Sequence, residues 1–148
     1  MAKEKTFIVV KCGNAKTHHA ANEIDKVIKK KGFAWFAKYG SKIKFDKINL
    51  DDPLREYVLS LSLFIDNQFH LFSYQIDGFA TKIDQAQGTY PAYYQEHIHF
   101  INTWVKVSPY QGTPPTVDDL IIKSSLNKLG ATLKKSTSGH FVCRLLRG

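Results

Sequence analysis

The chain has 148 residues, 43% hydrophobic and 23% charged, with a formal net charge of +8. That composition excludes an intrinsically disordered chain, and the length suits a single domain, residues 1–148, with one substantial core. No run approaches the roughly 20 apolar residues of a membrane span, the Phe7–Val10 run is too short for a targeting core, and the two cysteines lack paired-motif spacing, so the expectation is a cytoplasmic protein with free thiols, no membrane and no metal or other cofactor.

Thr6 to Lys11 is β-branched and aromatic and stops at Cys12-Gly13-Asn14, which predicts a strand and a turn. Thr17 is the expected N-cap of a helix running to Lys31, with Ala20, Ala21, Ile24, Val27 and Ile28 at the spacing of one buried stripe. Gly32 ends it, as a residue free to take positive φ should. Phe33 to Tyr39 reads as a short strand closed by Gly40, and residues 41–56 as irregular chain around Pro53. Tyr57 to Ile65 alternates leucines with serines, and Asp66-Asn67-Gln68 turns it into a hairpin partner over Phe69–Ile76. A long loop is expected over Asp77–Tyr94 and a strand over His97–Val107, with Trp104 in the core. A short helix near Leu126–Lys134 and a strand over His140–Leu146 complete the reading. Short strands, one clear helix and long loops predict an α+β fold, a small curved β-barrel of about five or six strands flanked by helices.

The positive charge is not spread evenly. Residues 1–50 hold twelve lysines against Glu4, Glu23, Asp25 and Asp46, whereas residues 51–148 hold nine basic and nine acidic groups. Lys29, Lys30, Lys31, Lys38, Lys42 and Lys44 are the candidate phosphate contacts, with Lys11 nearby. Aromatic residues share this stretch. Trp35 and Phe36 occupy adjacent strand positions, so one ring should be core and the other can face outward. Tyr90, Tyr93 and Tyr94 make the later loop unusually aromatic. Flat rings inside a positive field suit an anionic, planar ligand, of which nucleic acid is the commonest.

Catalytic signatures are weaker. His18-His19 near Cys12, and His97-x-His99, complete no recognised ligand set. Asp118-Asp119 reads as a turn or helix-start pair, and no Gly-rich phosphate loop occurs. These features favour binding over catalysis.

The element order resembles the PUA-like superfamily, in its EVE and YTH branches: the strand Phe7–Lys11 and its Cys-Gly-Asn turn, an amphipathic helix, a strand bearing Trp35, the hairpin from Tyr57 through Leu71, a loop, and the strand Asn102–Val107. The resemblance implies a reader of chemically modified bases, holding a methylated base in an aromatic cage. Trp35 would be the first cage wall, Lys11, Cys12 and Asn14 would meet the base edge, and Phe79, Tyr90, Tyr93 or Tyr94 would supply the second ring. Phe36 stands where YTH readers carry a small hydroxyl residue. The implied partner is nucleic acid carrying a modified base, DNA ahead of RNA, in company with a nuclease or motor domain of a larger restriction system. The alternatives are an RNA-binding reader and an enzyme, or enzyme-associated subunit, acting on nucleic acid or nucleotides.

Overall fold

The computed structural model describes residues 4–12, 20–38, 43, 48–83, 88–135 and 139–146, apart from the His97 side chain. Strand β1, Glu4–Lys11, is buried from Thr6 to Val10 because it has neighbours on both edges: β3 (Arg55–Ile65), parallel, and β7 (His140–Leu145), antiparallel. Helix α1, Ala20–Lys31, lays Ala20, Ala21, Ile24 and Val27 on the sheet and sends its lysines to solvent. One Tyr74 hydroxyl pins it there, shared between Asp25 Oδ1 at 2.8 Å and the Ala21 carbonyl at 3.2 Å. Gly32 follows with φ +83°, its N–H donating to Ile28 O at 2.7 Å, the left-handed cap expected of it. The proposed N-cap, Thr17, lies outside the described residues.

Strand β2 is only Ala34–Ala37 and pairs with β5, Trp104–Pro109. The hairpin of β3 and β4 (Gln68–Ala80) turns through Asp66 (φ 52°) and Asn67 (φ 64°), the positive pair that a two-residue turn matched to strand twist requires. Strand β4, Gln68–Ala80, is longer than the sequence reading allowed, because a register shift between Ile76 and Gly78 lets it continue to pair with β5 instead of becoming loop. Ala92–Phe100 winds as a 3-10 helix after Pro91, so the strand expected from His97 begins only at Trp104. A further strand the periodicity did not reveal, β6 (Leu120–Ile122), edges β7. Helix α2, Leu129–Lys135, is near its expected place. Asp119 ends up in a capping box, its Oδ2 accepting from Thr116 N at 2.9 Å and Thr116 Oγ1 at 3.0 Å, in keeping with a turn-type pair.

Among the described residues the result is an α+β fold with seven strands in the order β2-β5-β4-β3-β1-β7-β6. The expected barrel does not close. The edge of β1 that closure with β2 would need is occupied by β7, and β6 continues the sheet beyond. The sheet nevertheless coils strongly. Across the ladders Cys12 follows Lys11, which is level with Ser62 and Leu71, whereas Lys38 follows Ala37, level with Trp104 and Ala80. In a flat sheet four strand spacings alone would separate them by about 19 Å. Yet the Lys38 charge acts on the Cys12 thiol and on the His140 imidazole, so the ends of β1 and β2 converge. The inner face and α1 share one core, from Ile8 and Val10 through Leu59, Leu61 and Val105 to Ala34 and Phe36. The outer face carries two smaller cores, one under α2 and β6 (Phe7, Val9, Leu129, Leu133, Cys143), the other under the 3-10 helix (Ala37, Tyr90, Tyr94, Ile101, Trp104).

Candidate functional site

Alternation along β2 sorts its rings. Phe36 goes inward and is 4% exposed, while Trp35 goes outward, half-buried, and packs against the Tyr90–Tyr94–Trp104 core. Two consequences follow from the ladder. Trp35 is level with Lys106 and Gly78, so the second strand over offers no side chain beside the indole. Phe79 is level with Val105 and Phe36, which puts it on the inner face, away from Trp35. It does not share a cage with the indole.

The tyrosines divide in the same way. Tyr90 and Tyr94 are buried, stacked 6.4 Å apart, and each leans on Trp104, which is 1% exposed as expected. They form the floor beneath the outer surface, and with only 5% and 1% of their surface exposed they present too little ring to serve as cage walls. The Tyr94 hydroxyl is pushed well above its ordinary range by burial and stays neutral. Tyr93 stands edge-on to Tyr94 at 4.8 Å and is only partly covered, so it is the loop tyrosine left to meet a ligand.

The helix lysines reach this surface through one loop. The Trp35 backbone N–H donates to Thr89 O at 2.8 Å, closing the free edge of β2. Gly88, immediately before, has φ +87°, and a Cβ there would lie 3.3 Å from Lys31 Cε and 4.0 Å from its Nζ. The end of α1 therefore touches the segment that seats the indole. Lys29, Lys30 and Lys31 are all exposed, and Lys26 and Lys30 line a 460 Å³ groove that runs between α1 and Tyr90–Gln95.

Three other expected contacts have different employment. The Lys11 ammonium crosses to the outer face, donates to the Leu133 carbonyl at 2.7 Å at the end of α2, and lies 5.5 Å from the Phe69 ring centroid. It is a helix cap, and does not meet a base edge with Cys12. Lys38 is 4% exposed, so it is no surface phosphate contact; burial lowers its pKa, opposed by the Cys12 thiol. Cys12 faces inward beside it, its thiol pushed up to about 12 by burial, which disfavours a thiolate nucleophile. Cys143 belongs to the outer core, and both cysteines are free. Asn14, Lys42, Lys44, His18 and His19 lie outside the described residues.

The sequence reading missed a second gathering of rings and lysines. Phe64 and Phe69 pair across the hairpin with centroids 4.9 Å apart and rings tilted by 57°, and they line one groove with Lys128, Lys134 and Lys135. Their spacing in the chain gives no signal, since cross-strand pairing and the docking of α2 create the neighbourhood. Among the described residues no group of three or more His, Cys, Asp or Glu is placed to hold a metal ion, and no helix is long and apolar enough to cross a membrane. Comparison of the chain with family models, with curated proteins and with solved structures gives no significant match.

Proposed function

We propose that the protein is a nucleic-acid-binding domain that receives a modified base, flipped out of its stack, against Trp35 and Tyr93, with the exposed lysines at the end of α1 holding the flanking phosphates. The observation that supports this reading is the junction at Gly88-Thr89: Thr89 bonds the Trp35 backbone and Lys31 lies against Gly88, so the basic end of α1 touches the loop that borders the strand bearing the indole. An indole and a phenol packed against a buried aromatic floor have few rotatable bonds, so little side-chain entropy is lost when a base stacks on them. Stacking is worth about 1–3 kcal/mol per base, enough to offset much of the few kcal/mol that unstacking costs. DNA stands ahead of RNA, and a nuclease or motor domain is the partner, by the resemblance to EVE-type readers.

A binding panel tests the reading: single- and double-stranded DNA and RNA, each unmodified, with methylated adenine and with methylated cytosine. The expected result is preference for one modification, with affinity falling steeply as salt rises. Replacing Lys29, Lys30 and Lys31 by Gln should weaken modified and unmodified oligonucleotides alike. Equal affinity for every base removes the reader, and metal-dependent cleavage of the probe replaces it with the enzymatic alternative.

A further inference from the structure

The outer face carries a groove of about 1120 Å³ between the β3–β4 hairpin and α2, remote in the sequence from the basic first third. One end is the Phe64–Phe69 pair, with Phe64 40% exposed. Its lining also takes in Lys128, which immediately precedes α2, and Lys134 and Lys135, which end that helix, so cations stand at both ends of its two turns. All three lysines are exposed, and Asp118 is the one carboxylate among the lining residues described. Balanced charge over residues 51–148 hid this cluster, because the compensating acids are spread through the chain while these lysines converge.

We infer that this groove binds an unpaired nucleic-acid strand independently of base modification, through Lys128, Lys134 and Lys135 to phosphates and through Phe64 to a base. The chemistry favours a nucleic acid over an acidic protein segment because one ring, Phe64, is left exposed in the same groove as the charges. An acidic peptide would use the ammonium groups and leave Phe64 in water. Sequence-tolerant binding of single strands combines these two elements, a cationic track and a stacking ring. The inference rests on the reading of the protein as a nucleic-acid binder but not on the surface around Trp35.

The test uses the full chain and fluorescein-labelled oligothymidylate of about 20 nucleotides, titrated at several salt concentrations. Each phosphate contact on a single strand contributes about 0.7 to the slope of log affinity against log salt. The triple variant Lys128→Gln, Lys134→Gln, Lys135→Gln should lower that slope by about 2 and weaken binding at least tenfold; Gln keeps helix propensity close to that of Lys. Phe64→Ala should weaken it about fivefold or more with the slope unchanged. Thermal melts overlaying the wild type confirm that both variants fold. If the triple variant binds oligothymidylate with wild-type affinity and slope, the groove is not a nucleic-acid surface. Loss of polyglutamate binding in its place assigns the groove to an acidic protein and equally overturns the inference. Failure here is separable from failure of the reader. Modification preference that depends on Trp35 can survive while this groove proves silent, and the groove can bind thymidylate in a protein with no preference for any modified base.

Discussion

Two tryptophans on the same outer face should respond in opposite ways to removal. Trp104 is 1% exposed and leans on Tyr90 and Tyr94 at centroid distances of 5.7 and 6.0 Å. Trp104→Ala deletes a fully packed ring, which costs about 3–5 kcal/mol. In a chain of this size each kcal/mol moves the melting point by about 2–4 °C, so a loss of about 6–20 °C is expected. Trp35 is half-buried on an edge strand, so Trp35→Ala should cost only about 1–2 kcal/mol, a shift of about 2–8 °C. Its effect belongs in binding. Loss of one stacking partner worth about 1–3 kcal/mol lowers affinity for the preferred modified oligonucleotide about 5- to 140-fold. Unmodified probes held by phosphate contacts should bind almost as before. Differential scanning fluorimetry and fluorescence anisotropy on the same preparations read both quantities, with Trp35→Phe as the variant that keeps a stacking face. Should Trp35→Ala melt as low as Trp104→Ala and weaken all probes equally, the indole is structural and the site is misassigned.

Burial, reinforced by the Lys38 charge, holds the His140 imidazole below its usual 6.5. Between that lowered value and 6.5 the unfolded chain binds a proton that the folded chain does not, so stability present above 6.5 is lost as pH falls through the window. Lys38→Met should raise the His140 titration midpoint followed by NMR, and an unmoved midpoint would show that the β1 and β2 ends do not converge. Tyr74→Phe removes the hydroxyl shared by Asp25 and the Ala21 carbonyl and should cost about 1–2 kcal/mol by chemical denaturation. With both thiols pushed up to about 12 by burial, iodoacetamide at neutral pH should label Cys12 and Cys143 on the order of 10³-fold slower than an unhindered thiol. Rapid labelling of Cys12 would restore the enzymatic alternative.

The amino-acid order by itself determined the local elements. The stripe of α1, the left-handed Gly32, the Asp66-Asn67 turn and the apolar run of β1 are consequences of periodicity and backbone freedom within a few residues. It also sorted Trp35 from Phe36, since neighbours on a strand must face opposite sides, but not which of them would be core. Tertiary structure decided that, along with everything that depends on which strands become neighbours. The shift at Gly78 extended β4, the pairing of β7 with β1 kept the sheet open, and the coil of that sheet buried Lys38 beside Cys12. Docking of α2 took Lys11 as a cap and brought Lys128, Lys134 and Lys135 into the lining of the groove that Phe64 also borders. The reason is physical. Propensity and periodicity act over one or two turns of chain, whereas burial, charge proximity and ring contact are set by long-range packing, which a sum of charges along the sequence does not contain.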